Sequence, residues 1–260
     1  MNIFDSHCHL NDRSFRNDLN RVVQRANQDG IDMMMTVGID AATSRQALEI
    51  ASEYNGVFAS VGVHPHRAAT CHRKILAQLA DLAGNRNVRA WGEIGLDFNR
   101  MYSPRNDQEL WFVEQLHTAD KLKLPLILHE RDSEGRLLEL LYANPNPHRR
   151  GTVHCFSGNR NELQSYLDLG YYIGITGIVT MQQRGVELRK LVRLIPLDRL
   201  LIETDAPYLT PTPQKNKTRR NEPAFVKSVL LKLADALDTD AERLAKITTA
   251  NAKRLFNITE

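Results

Sequence analysis

Short apolar runs alternate along this chain with longer stretches in which apolar positions recur every three or four residues. The runs lie at 2–7, 31–39, 57–64, 88–97, 124–130, 150–158, 171–177 and 200–207. Runs of this length between turn residues read as strands. The stretches 14–27, 43–54, 73–83, 104–122, 133–142, 160–169 and 185–194 read as amphipathic helices. In 14–27, Phe15, Leu19, Val22, Val23 and Ala26 share a face, and Gly30 follows as a stop. In 104–122, Phe112, Val113, Leu116 and Ala119 do the same, with Pro104 near the start, where its missing N–H costs nothing. Two further helices, 223–237 and 239–256, follow the eighth run. Thr239 and Glu242 fit a capping box at the start of the last.

Eight strand–helix units in alternation imply parallel strands joined by crossover helices. Closed on itself, that pattern is a (β/α)8 TIM barrel, a single α/β domain over 1–260. A doubly wound open sheet is the alternative. No G-x-G-x-x-G follows the first strand, which counts against its dinucleotide-binding form. The Pro-rich polar stretches "NPNPHRR" and "TPTPQKNKTRR" fit as loops within one domain.

A barrel places its chemistry at the C-terminal strand ends. The first strand ends with His7 and His9, and the third with His64, His66 lying just beyond. The fourth carries Glu93, the fifth and sixth end with His129 and His154, and the eighth with Asp205. Residues i and i+2 share a strand face, so His7 and His9 point together while Cys8 points to the helix layer. Cys155 likewise points away from His154. A carboxylate in "WGEIGLD" or "LLIETDAP" is costly to bury unpaired; Glu203 shares the parity of Asp205. Taken singly, each histidine is more often an ordinary hydrogen-bonded residue. Together on one rim they form a ligand set for one or two divalent ions. His7, His9 and Asp205 would hold one ion, His129 and His154 the other, and Glu93 would bridge them. Two metals so placed clamp a phosphate ester or amide for hydrolysis. Nitrogen-plus-carboxylate ligands suit Zn, Mn or Fe better than an all-oxygen Mg site, and Mg stays open.

Bulk properties narrow the setting. A formal net charge of +3 permits a phosphate-bearing partner without demanding one. Three cysteines, Cys8, Cys71 and Cys155, are too few and too scattered for a disulfide framework and point to a reducing compartment. The N-terminus has no signal-peptide pattern, and no apolar run approaches the roughly 20 residues of a membrane span. A cytoplasmic protein with no membrane partner is expected, and a monomer.

The motifs "FDSHCHLN", "GVHPH", "GEIGLDFNR", "LPLILHERDS", "HCFSG" and "IPLDRLLIETDAPYLTP" followed by "RRNEP" come in an order that resembles the TatD family of metal-dependent deoxyribonucleases, over nearly the whole chain. The resemblance implies a (β/α)8 barrel, divalent metal dependence and 3′-to-5′ exonuclease action on single-stranded DNA, with RNA open, in DNA repair or degradation. By position it implies His7, His9, Glu93, His129, His154 and Asp205 as metal ligands and His64 as a contact to the substrate phosphate. Glu93 and Asp205 are the catalytic candidates, Asp205 to orient or accept the proton of the attacking water. Arg100, Arg105, Arg131, Arg184, Lys215, Lys217, Arg219 and Arg220 fall in loops on the catalytic face; Arg131, Arg219 and Arg220 are the expected phosphate contacts. Arg149 and Arg150 fall on the opposite face. Phe98, Tyr102 and Tyr208 lie in loops where they would either stack bases or pack beneath, so strict sequence readout is not expected. The rival expectation is a metal-dependent amidohydrolase or esterase, such as a deacylase, acting on a small or tRNA-linked substrate.

Overall fold

The computed structural model describes residues 1–259. Eight strands, β1 (Ile3–Cys8), β2 (Ile31–Val37), β3 (Val57–Val61), β4 (Val88–Asp97), β5 (Leu126–Arg131), β6 (Gly151–His154), β7 (Tyr172–Ile175) and β8 (Leu200–Ile202), pair in parallel in chain order. Helices α1 (Leu19–Gln28), α2 (Ala41–Glu53), α3 (Arg73–Ala83), α4 (Arg105–Leu122), α5 (Arg136–Ala143), α6 (Arg160–Asp168), α7 (Gly185–Leu191) and α8 (Val226–Ala236) follow successive strands, and α9 (Ala241–Leu255) ends the chain. This is the expected (β/α)8 barrel.

The barrel interior is filled from below. Phe4, Met35, Val37, Ala90, Ile127, Tyr172 and Leu201 point inward, and Leu255 and Phe256 at the end of α9 plug the base. Phe256 packs on Phe4 with ring centroids 5.9 Å apart. Strand residues on the outer face of the sheet, such as Ile3, Cys8, Ile94, Leu128 and Ile202, join the larger core beneath the helices.

The seam between the first and last strands is short. β8 ends at Ile202, so closure falls to the segment beyond it. Asp205 N–H donates to His7 O at 2.9 Å and His9 N–H to Ala206 O at 2.7 Å. The Asp5 carboxylate accepts from Thr204 N–H at 2.8 Å and from its hydroxyl at 2.6 Å. The barrel is thus stitched shut by the residues that carry its candidate ligands.

Several boundaries differ from the sequence reading. The helix expected from residue 14 begins as a separate 3-10 turn, Arg13–Phe15, because Asp12 caps it through Ser14 N–H; α1 starts only at Leu19. The strand expected over 57–64 stops at Val61, and that over 200–207 stops at Ile202. The Thr239–Glu242 capping box does not form. Asp240 is the N-cap of α9, accepting from Arg243 N–H, since a carboxylate one residue on is the better acceptor for that turn. Capping boxes do form at Asp40–Thr43 on α2 and Asn159–Glu162 on α6.

Candidate metal centre at the barrel mouth

Two irregularities in the sheet aim the key side chains. Between Asp5 and Cys8 the register of β1 against β2 slips, and between Trp91 and Ile94 that of β4 against β5 slips. In each case one strand carries an extra residue, a bulge that turns a side chain without ending the sheet. The first bulge sends both Ser6 and His7 inward and leaves Cys8 outward, its thiol on Met35 O at 3.4 Å. The second sends Glu93 inward. Gly95 beside it is required: a Cβ there would stand 1.9 Å from His129 O.

The inward residues meet above the apolar floor. His7 Nε2 lies 3.3 Å from His9 Nε2, 3.5 Å from Glu93 Oε2 and 3.7 Å from Asp205 Oδ1. His9 Nε2 is 3.4 Å from Asp205 Oδ1. His129 Nδ1 meets Glu93 Oε1 at 2.7 Å, and His154 Nε2 stands 3.7 Å from the same oxygen and 3.9 Å from Asp205 Oδ1. Donor atoms of three trios, His7–His154–Asp205, His7–His9–Glu93 and His64–Glu93–His129, each lie within 4.8 Å of one another. All six expected ligands therefore come together, with Glu93 in the middle as expected. His154 also stacks on His7 at 3.5 Å between centroids, so its donor nitrogen lies within reach of His7 and Asp205 as well as of the Glu93 oxygen that His129 meets.

The donor set fits divalent ions. The far nitrogens of His9, His129 and His154 are held from behind, which fixes those rings and their tautomers, while His7 Nδ1 is buried without a partner. His9 Nδ1 faces Val37 O at 3.3 Å, His154 Nδ1 faces Glu203 Oε1 at 2.7 Å, and His129 Nε2 faces Asp97 Oδ2 at 3.3 Å. The opposite nitrogens are left facing one another and two carboxylates. Without a cation between them, protons do the neutralising. Burial lowers His129 and His154, but the carboxylates outweigh it, raising His129 to about 9 through Asp97 and Glu93 and His154 to about 10 through Glu203 and Glu93. Burial raises Glu93, but its interactions with His64 and His154 and the hydrogen bond from His129 outweigh it and hold it well below the usual carboxylate range.

His64 behaves differently. It lies beyond β3 and caps the 3-10 turn Pro65–Thr70, its Nδ1 accepting from His66 N–H at 3.0 Å. Burial drives its pKa down to about 4, so the ring is neutral and its proton sits on Nε2. That nitrogen is a donor, 3.4 Å from Glu93 Oε1. Such a group suits an anionic oxygen of a substrate better than a metal.

Three supporting groups were not read from the sequence. Asp97, fully buried, bridges His129 and His66, the latter at 2.7 Å, and accepts from the N–H groups of Asn99 and Arg100. It follows Glu93 and Gly95 at strand parity, the signal that would have found it. Glu203 buttresses His154, and Gly174 makes room for it, since a Cβ there would meet Glu203 Oε2 at 2.5 Å. Gln108 and Gln115, two turns apart on α4, clamp the rim backbone. Gln108 Oε1 accepts from Asp97 N–H at 2.8 Å, and Gln115 Oε1 from Val63 N–H at 2.7 Å.

The basic residues divide. Arg131 ends β5, half-buried at the rim, opposite Asp97 in the register. Arg219 is exposed in the loop after β8. Arg220 is committed elsewhere: its guanidinium holds Asp18 at 2.7 Å, Glu222 at 2.8 Å and Ser14 O at 2.8 Å. It ties the β8 loop to α1, and none of its hydrogen bonds reaches the histidine–carboxylate cluster.

The family model described as TatD related DNase matches residues 4–257. The chain belongs to the TatD-related DNase family. It is therefore a hydrolase of a metal-dependent barrel family. A "3′-5′ ssDNA/RNA exonuclease TatD" of Rahnella sp. is 43% identical over 98% of both chains, and one of Klebsiella pneumoniae is 41% identical over the same share of each. Among solved structures, the TatD homologue YJJV of Escherichia coli superposes with a TM-score of 0.91 at 30% identity, covering 99% of this chain and 98% of that one. The phosphotriesterase homology protein of the same organism shares the fold, with a TM-score of 0.67 at 15% identity.

Proposed function

We propose that this protein is a metal-dependent exonuclease that removes nucleotides from the 3′ end of single-stranded DNA or RNA. The observation that carries the reading is the meeting of four histidines with Glu93 and Asp205 on the catalytic rim of a TatD-family barrel. The relatives named as 3′-5′ ssDNA/RNA exonucleases support direction and substrate. One or two divalent ions, of Zn, Mn or Mg, would be held by His7, His9, Glu93, His129, His154 and Asp205. Bound there, they would acidify water and draw charge from the phosphoryl oxygens.

The chain's own groups do the rest. Asp205 sits at φ 58, an uncommon backbone state for a side-chain-bearing residue, which aims its carboxylate back at His7 and His9. Burial raises its pKa, but His9 and His154 outweigh that and keep it ionised, ready to accept a proton from the attacking water. Glu93 holds the histidines in one constellation. His64 Nε2–H donates to a non-bridging phosphate oxygen, with Arg131 and Arg219 supplying charge around it. A single barrel carries the whole ligand set, which suits a monomer. Three unpaired thiols suit a reducing, cytoplasmic setting. No helix among the described residues is long and apolar enough to cross a membrane.

The test is digestion of 5′-labelled single strands by the protein and by Asp205→Asn, with EDTA or with each metal added. Stepwise shortening that requires both metal and Asp205 is expected. Equal digestion by the variant, or none with any metal, would sink the reading.

A further inference from the structure

Five of the six histidines of the mouth and two tyrosines form one arc of ring contacts. Tyr102 stands edge-on to His66 at 4.8 Å and 84°, and His66 contacts His129 at 6.1 Å. His129 leads to His154 at 6.2 Å, His154 to His7, and His7 to His9 at 5.0 Å. His9 stands edge-on to Tyr208 at 5.8 Å and 71°. The ligand cluster occupies the middle of the arc, and a tyrosine stands at each end. Tyr102 is 67% exposed and Tyr208 54%. Rings this open at the rim of a polar site leave their faces free for a flat partner.

Their backbones, by contrast, are pinned. Asn221 Nδ2 donates to Tyr208 O at 2.6 Å, and Tyr208 N–H donates to Asp205 O at 2.7 Å. Next to Tyr102, Ser103 O accepts from Gln108 Nε2 at 2.8 Å, while Ser103 Oγ accepts from Ala69 N–H at 3.0 Å. A ring that is open to solvent yet hung on a fixed backbone loses little entropy when it takes a flat partner. Phe98, the third aromatic of these loops, is already taken: it is half-buried, with the Arg105 guanidinium 4.3 Å above its ring.

We infer that Tyr102 and Tyr208 are two stacking subsites, one on each side of the metal centre, that take the bases flanking the scissile phosphate of a single strand. This rests on the nuclease reading. The geometry favours single strands, because bases inside a duplex have both faces covered by their stacked neighbours. It also makes the sites indifferent to base identity and to sugar, since every base has a π-face. DNA and RNA ends are then held alike at these two positions.

The test is a binding titration of metal-free protein, in which no cleavage occurs. The probes are short DNA and RNA oligonucleotides with 2-aminopurine at the 3′-terminal or the penultimate position, and the same strands with an abasic residue there. Stacking on tyrosine changes the emission. Tyr102→Ala and Tyr208→Ala are each expected to abolish that change at one of the two positions and to weaken binding roughly tenfold, about 1.4 kcal/mol. Tyr102→Phe and Tyr208→Phe are expected to keep both. On strands already abasic at the matching position, the alanine variants are expected to lose nothing further. Alanine variants that bind with the parent's affinity and emission overturn the inference, as does an equal loss on intact and abasic strands. A parent that binds and stacks but never shortens the strand once metal is added would overturn the hydrolytic reading and leave the stacking subsites standing.

Discussion

Glu203→Gln isolates what a buried charge behind a ligand contributes. Glu203 is fully buried, and its Oε1 lies 2.7 Å from both His154 Nδ1 and Cys155 N. Its Oε2 is 3.2 Å from Ser6 Oγ. Glutamine has the same shape. Its carbonyl oxygen takes the place of Oε1 and keeps both donors satisfied, and its amide faces the serine hydroxyl, which accepts as well as donates. None of the donors that Glu203 now satisfies loses its partner, so the fold is expected to hold to within about 1 kcal/mol. What disappears is the charge on the acceptor. A hydrogen bond to a charged group is worth roughly 1.5–3 kcal/mol and a neutral one roughly 0.5–1.5. The difference, about 1–2 kcal/mol, is a loss of roughly 5- to 30-fold in metal affinity. That is close to the 10- to 100-fold usual for groups that orient metal-bound histidines. Calorimetric titration of metal-free protein with Mn or Zn measures it, beside a thermal melt of the same samples. Unchanged affinity with an unchanged melt would refute the reasoning. A collapse of the melt would show that Glu203 serves the fold instead.

Gly174→Ala pushes a methyl group against the same carboxylate. It is expected to destabilise by roughly 1–3 kcal/mol in urea unfolding and to weaken metal binding in the same direction as Glu203→Gln. Metal uptake is expected to release protons at neutral pH, because His129 and His154 are raised to about 9 and about 10 and are protonated when no cation is bound. Affinity should therefore rise with pH from 6 to 9. Titrations at pH 7 in buffers of differing ionisation heat count the protons, and zero release would contradict the raised values. Arg220→Ala removes a partly exposed network joining Asp18, Glu222 and Arg25 and is expected to cost roughly 1–2 kcal/mol in thermal stability. Its effect on strand binding should be small, while Arg131→Ala should weaken binding and flatten its salt dependence, as read by fluorescence anisotropy between 50 and 200 mM salt (roughly the range over which phosphate contacts report).

The fold was legible because its signal is repeated. Eight apolar runs and the helical spacing between them leave few topologies open, and the misplaced ends at Val61 and Ile202 do not alter the order. The candidate ligands were legible because histidines and carboxylates at strand ends stand out against apolar surroundings. What local pattern could not convey was pairing over distance. Glu203 was visible by parity with Asp205, but its bond to His154 spans 49 residues. Asp97 sat in a quoted motif, two positions past Gly95, and its role emerges only when His66 from the turn after β3 and His129 from β5 arrive beside it. Arg220 read as a free cation in a basic loop, although Asp18, far away in sequence, had claimed it. The bulges in β1 and β4 leave no mark a strand pattern would detect, yet they decide which residues face the centre.

The seam that closes the barrel has a consequence for how the protein is made. Asp5 and Thr204, which meet there, lie 199 residues apart in the chain. At a synthesis rate of roughly 5–20 residues per second, His7 and His9 leave the ribosome some 10–40 s before Asp205 follows. During that interval Glu93, His129 and His154 follow in turn, but the set of six stays incomplete until Asp205 appears. The candidate centre is therefore complete only after β8 and the segment beyond it have been made, however much of the barrel has formed before them.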